Sequence, residues 1–135
     1  MWRFEHEVEV RFRDCDPMGH VNNAVYFTYL EAARFAWWRT LFGTNALRDH
    51  GFIVARATCD YRRPALPGER LIVRLRVSAI GRTSFTVGYE LVNARTRELM
   101  AEAETVQVVL DYATGRPQPI PDDLRAKLEV TGPGA

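Results

Sequence analysis

The chain has 135 residues, enough for one domain with a substantial core and too few for two independent ones. Eighteen basic residues against 17 acidic ones leave a formal net charge of +1, which gives no reason to name nucleic acid or a membrane surface as the main partner. The two cysteines, Cys15 and Cys59, are far fewer than a disulfide scaffold carries and have no metal-ligand spacing, so a reducing, cytoplasmic setting is the default expectation. The opening sequence MWRFEHEVEVRFRD carries charges where a signal peptide needs its apolar segment, and no run approaches the length of a membrane span.

Residues 5–13 alternate strictly, with Val8, Val10 and Phe12 on one face and Glu7, Glu9, Arg11 and Arg13 on the other, which predicts a half-buried strand. Continuing that parity turns Asp14 and Asp16 inward, at the point where Pro17 and Gly19 bend the chain. Asn22 and Asn23 are good N-caps, residues up to Leu41 lack Gly and Pro, and Gly43 is placed as a C-terminal stop, so a long helix follows. That helix is apolar nearly all round and must be wrapped by something; Trp37 and Trp38 read as core or dimer filling more than as pocket lining.

Residues 54–63, 70–80, 84–93 and 99–111 alternate and are rich in β-branched side chains, with turns at 64–68, 81–83 and 93–97 between them. The short connections predict an antiparallel meander. A short helix is expected over 122–128, and TGPGA at the end reads as a frayed tail. The whole is an α+β domain spanning residues 1–135, a curved antiparallel five-stranded sheet wrapped around one long buried helix. Its two open edges and an outer face carrying Ile72, Val92, Val106 and Val108 among charges invite pairing with a second copy, a homodimer at least.

The run from Asp14 to Tyr26 places carboxylates, an imidazole and a helix start within a dozen residues. Those are the parts of an acyl-transfer site: a carboxylate activates water or attacks a carbonyl, while free N–H groups at a helix start hold the charge that builds on the carbonyl oxygen. Asp16 has the inward position for that role and equally the position of a residue that satisfies a turn. Asp14 suits a structural role better, although two neighbouring carboxylates would push one pKa upward. Asn23 would act through its backbone N–H, a role compatible with plain capping. Glu31, two turns along an apolar helix surface, would be costly to bury without a partner. Cys15 falls on the opposite parity from Asp16 and has no evident base, so it is not the nucleophile.

The pattern Asp14-x-Asp16-x-x-Gly19-His20-Val21-Asn22-Asn23-x-x-Tyr26, with Glu31-Ala32-Ala33-Arg34, resembles the hot-dog-fold acyl-CoA thioesterases of the 4-hydroxybenzoyl-CoA thioesterase-like group. The resemblance continues through Asp60-Tyr61-Arg62-Arg63-Pro64, Gly81-Arg82-Thr83-Ser84-Phe85 and Thr114-Gly115-Arg116-Pro117. It implies a hot-dog fold, CoA thioester substrates, no cofactor, and a dimer-based assembly, homodimer or homotetramer, with sites at subunit interfaces. It makes Asp16 the catalytic carboxylate and gives Glu31 the place of a helix glutamate that is catalytic in another branch of the fold. Plant acyl-ACP thioesterases carry a similar arrangement with a catalytic Asn where Met18 stands here, so His20 either orients substrate or takes part in proton transfer, or is only a hydrogen-bonded turn residue. Arg62, Arg63 and Arg82, with Thr83 and Ser84, are the candidates for CoA phosphates. The rival readings are an acyl-ACP thioesterase and a non-catalytic acyl-CoA-binding module on the same scaffold.

Overall fold

The computed structural model describes residues 2–43 and 51–132. Strand β1 (Phe4–Glu9) alternates as its pattern predicts, and Val10 beyond it is buried. It is shorter than expected, because its ladder partner begins at Arg70, opposite Glu9. Past that point the Asp14 carboxylate accepts the Arg11 N–H at 3.0 Å, and residues Phe12–Asp14 close into a 3₁₀ turn. Phe12, expected inward, is thereby swung out and stands 88% exposed.

Helix α1 (Val25–Phe42) starts at Ala24, one residue after the predicted caps. Asn22 still organises the start: its side chain accepts the Ala24 N–H at 2.9 Å, and its carbonyl accepts that of Val25 at 2.9 Å. The stop is where it was expected, with Gly43 at a φ of 80° and its N–H donating to the Arg39 carbonyl. Tyr26, Tyr29, Leu30, Ala33, Trp37 and Trp38 form the buried stripe, whereas Glu31, Phe35, Arg39 and Thr40 stay exposed. Within one protomer the helix is therefore covered on one side and not wrapped all round.

The remaining strands are β2 (Phe52–Tyr61), β3 (Arg70–Ile80), β4 (Ser84–Asn93), β5 (Leu99–Asp111) and a two-residue β6 (Arg116–Pro117) that extends the edge of β5. The antiparallel order is β1-β3-β4-β5-β2, so only β3, β4 and β5 form a meander. The expectation that β2 neighbours β3 is wrong: β2 pairs with β5 at the far edge. Residues 62–69 cross back, and eight extended residues reach about 26 Å, more than the roughly 14 Å of three strand spacings. The crossing is tied down as it goes. Arg62 and Arg63 donate N–H groups to the Met100 carbonyl, Ala65 accepts from Val21, and Gly68 donates to Val10.

Inward side chains of β3 (Leu71, Val73, Leu75, Val77) and β4 (Phe85, Val87, Tyr89, Leu91) pack on the α1 stripe, giving the expected curved sheet around a central helix, the hot-dog arrangement. Trp38 lies nearly parallel to Phe85, centroids 5.8 Å apart, and edge-on to Phe52 at 4.8 Å, locking the helix end to two strands. A second helix, α2 (Asp122–Val130), buries Leu124 and Leu128. Thr131 and Gly132, expected to fray, are instead buried, with Val77 donating to the Thr131 carbonyl at 3.0 Å; residues 133–135 of that tail lie outside the described ones. No helix among the described residues is long and apolar enough to cross a membrane. Truncating the fully buried Trp38 to alanine should cost about 3–5 kcal/mol of unfolding free energy in denaturant titration, because it empties the contact shared by helix and sheet.

Candidate active site

The loop before α1 is built around Asp14. One carboxylate oxygen accepts the Arg11 N–H and, at 2.8 Å, the Tyr29 hydroxyl from one turn inside the helix. The other meets the Arg11 guanidinium at 3.3 Å, and the Asp14 carbonyl accepts the Asn22 N–H at 2.9 Å. Burial works against the charged form, but the hydrogen bonds from Arg11 and Tyr29 outweigh it and hold the carboxyl below its ordinary range. The upward shift expected from a carboxylate pair does not occur at this residue. Asp14 is the anchor that fixes both ends of the 15–22 loop.

Held by that anchor, Asp16 heads a tight turn. Its Oδ1 accepts the Met18 N–H at 2.9 Å, its N–H donates to the His20 carbonyl, and Gly19, at a φ of 90°, returns an N–H to the Asp16 carbonyl. Asp16 therefore fills the turn-satisfying role with one oxygen, and Oδ2 has no hydrogen-bond donor among the described residues. Asp16, His20, Val21, Asn23, Tyr26, Tyr61, Arg62, Arg63 and Pro64 line one cavity of about 480 Å³. Asn23 sits just ahead of the helix, and its N–H meets no acceptor among the described residues, while the Ala24 and Val25 N–H groups are taken by Asn22.

Tyr61, at the end of β2, was not singled out from the sequence as a site residue. Its hydroxyl donates to the Asn23 carbonyl at 2.8 Å and its ring packs edge-on against Tyr26 at 4.9 Å, so it fixes the Asn23–Ala24 peptide. Burial and the neighbouring Cys59 push its phenol up to about 12, which keeps it a donor. The only sequence signal was an aromatic residue closing a strand ahead of a proline. His20 has Nδ1 3.4 Å from the Val21 carbonyl. Burial and the adjacent Asp14 and Asp16 charges push the Cys15 thiol up, against a thiolate nucleophile.

The other candidates divide. Arg62 and Arg63 stand at the cavity, ion-paired to Glu102 at 2.8 Å and Glu98 at 3.1 Å. Glu31 is exposed and lines separate cavities farther along α1. Arg82, Thr83 and Ser84 lie on the β3–β4 turn, where Arg82 and Thr83 accept N–H groups from Ile120 and Val109. Ser84 is opposite Val108 and Tyr61 opposite Ala101, so this turn is roughly 23 Å along β5 from the Asp16 end of the sheet.

Residues 10–128 match the model of the thioesterase-like superfamily. The chain belongs to that superfamily. Among its relatives is the 1,4-dihydroxy-2-naphthoyl-CoA hydrolase of Synechococcus elongatus, 30% identical, with 95% of this chain and 96% of that protein aligned. The acyl-CoA thioester hydrolase YbgC of Escherichia coli O157:H7 is 29% identical over 93% of this chain and 96% of its own. Among solved structures, a Thermus thermophilus thioesterase complexed with coenzyme A and Zn superposes with a TM-score of 0.85 at 36% identity, covering 96% of this chain and 95% of that one.

In this thioesterase-like protein the arrangement brings Asp16, with one carboxylate oxygen unbonded, Asn23, with its N–H unclaimed among the described residues, and two arginines to a single opening. Because Asp14 has a lowered pKa, its ionised form adds stability at neutral pH that is lost as pH falls below the ordinary carboxylate range. Asp14→Asn should therefore lower unfolding free energy at neutral pH and remove that part of the acid-side loss. Denaturant titrations of both proteins at neutral and acid pH read the difference, and it should shrink as the pH drops.

Proposed function

We propose that this protein hydrolyses acyl-CoA thioesters, with Asp16 as base or nucleophile and the Asn23 N–H as oxyanion donor. One observation supports the reading: Asp16, with one oxygen left out of its turn, and Asn23, with its N–H unclaimed among the described residues, line the same cavity. As base, Asp16 takes a proton from water, the hydroxide adds to the thioester carbonyl, and the tetrahedral oxyanion is held by Asn23. Collapse breaks the C–S bond, and the proton passes to the departing CoA thiolate, which needs little acid help. As nucleophile, the same carboxylate would add to the carbonyl and expel CoA thiolate as the C–S bond breaks, leaving an anhydride that water then cleaves to the acid and free Asp16. Membership of a thioesterase superfamily and relatives named as CoA thioester hydrolases support the substrate class.

On this reading His20 orients the substrate, and Arg62 and Arg63 meet carrier phosphates. The Arg82-Thr83-Ser84 turn serves the same site only from a second copy. A homodimer or homotetramer is part of the proposal, supported by the open edge of β2, where Ile53 and Val54 are 43% and 39% exposed, and by the exposed Phe35 face of α1. Two free thiols and an acyl-CoA substrate suit a cytoplasmic setting.

Asp16→Asn keeps size and turn geometry but removes the charge, so kcat for acyl-CoA hydrolysis should fall by roughly two orders of magnitude with binding and fold retained. Glu31→Gln is the matched control and should retain most activity. Near-normal turnover by Asp16→Asn with a dead Glu31→Gln would move the chemistry to the helix glutamate, and indifference to both would favour the non-catalytic binding module. Comparing acyl-CoA with acyl-ACP separates the two carriers. Sedimentation of active enzyme at micromolar concentration should show a dimer or tetramer, and a monomer that turns over would exclude an interface site.

A further inference from the structure

Arg34 is the cation on the buried stripe of α1. It falls in register with Leu30, Ala33, Trp37 and Trp38 and is only 9% exposed. Its Nη1 donates to the Tyr89 hydroxyl at 3.3 Å, and no carboxylate among the described residues lies within ion-pair distance. A guanidinium has five N–H donors, and Tyr89 is already shared with Thr105 at 2.7 Å, which in turn bonds Gln107. A buried charge with one long neutral contact is costly unless something else supplies acceptors.

Arg34 lines two adjoining cavities, about 700 and 290 Å³, that share Thr28, Glu31, Arg34 and Val54; the larger also borders Phe35 and Ile53, so in the assembly proposed above a second copy would close it from outside. Helix positions 27, 31, 34 and 38 lie on one face, with Asn23 just ahead of it, and β2 runs beside that face. The Asp16 cavity lies at the Asn23 and Tyr61 end of this side, and the cavities that hold Arg34 lie farther along, toward Trp38 and Phe52. Ten residues separate Asn23 from Arg34, roughly 16 Å between backbones along the axis; a helix side chain leans back toward the helix start, which leaves the span of a medium-length acyl group. Glu31 is exposed on the same face and not ion-paired with Arg34, so water screens it and the buried cation dominates the interior.

We infer that Arg34 is a recognition site for an oxyanion, best a carboxylate, at the far end of the acyl group, so that the preferred substrates are acyl-CoAs of medium length carrying a terminal acidic oxygen. This rests on the acyl-CoA hydrolase reading above. The guanidinium would hold the two carboxylate oxygens side by side, with Thr28 and the Tyr89 hydroxyl beside it, while the apolar stretch of the chain lies on Phe27 and Val54.

The test compares octanoyl-CoA with the mono-CoA thioester of octanedioic acid, which differ only at the acyl terminus, on wild-type protein, Arg34→Met and Arg34→Gln. Wild-type kcat/KM should favour the carboxylate-bearing thioester by about tenfold or more, and Arg34→Met should erase or invert that ratio. Arg34→Gln, which keeps a donor toward Tyr89, should lose the same ratio and serves if the methionine variant does not fold. An equal ratio in wild type and variants overturns the inference. So does an Arg34 variant that sediments as a smaller oligomer without any change in ratio, since Arg34 would then belong to a subunit contact. If neither thioester is hydrolysed, the hydrolase reading fails, and calorimetric binding of the same intact pair still reads whether Arg34 selects the carboxylate.

Discussion

The buried carboxylate of Asp14 is the constraint on which the rest depends. It gathers an N–H from its own turn, a hydroxyl from α1 and a guanidinium, while its carbonyl holds the residue that opens the helix. Without those bonds the 15–22 loop would be held to the helix by Asn22 alone at its far end, because the loop is short of buried apolar side chains other than Val21. Their effect is to set two elements at fixed separation: the turn that presents Asp16 and the helix start that presents Asn23. On the proposed mechanism a general-base or nucleophilic carboxylate and an oxyanion donor must meet one carbonyl, and the anchor is what would hold them at that separation.

The second constraint is topological. Since β2 lies beyond β5, its return link must run past the open end of the sheet, and there it meets the Asp14 loop through the Val21–Ala65 hydrogen bond. That detour delivers Arg62, Arg63 and Pro64 to the cavity and turns Tyr61 onto the Asn23 carbonyl. The same placement leaves β2 as an edge with apolar side chains in solvent and opens the groove along α1 in which Arg34 stands. Site, groove and the surface offered to a second copy all follow from where one strand goes.

Local pattern was a good guide wherever local physics decides. The bounds of β3, β4 and β5 follow from alternation and β-branching, and the helix stop at Gly43 from its positive φ. The motif from Asp14 to Tyr26 identified the cavity because its residues are close in sequence. What pattern did not carry was long-range choice. Alternation in β2 is the same whether it pairs with β3 or β5, and Phe12 alternates correctly yet faces solvent because a carboxylate two residues on closes the chain into a turn. Tyr61 acts across 38 residues of sequence, so its role exists only once the strand is placed. Arg34 was visible as a charge in register with the apolar stripe, but that no carboxylate among the described residues pairs with it could not be read before its neighbours were known.

The central claim is spatial: the thioester carbonyl sits between the free oxygen of Asp16 and the N–H of Asn23. The most direct test is a crystal structure with an acyl-CoA analogue in which a methylene replaces the thioester sulfur, so that the carbonyl is retained and cannot be cleaved. The account predicts its carbonyl oxygen within hydrogen-bond distance of the Asn23 N–H, with Asp16 facing the carbonyl carbon directly or through one water. A carbonyl bound elsewhere, beside Glu31 or away from the start of α1, would contradict it.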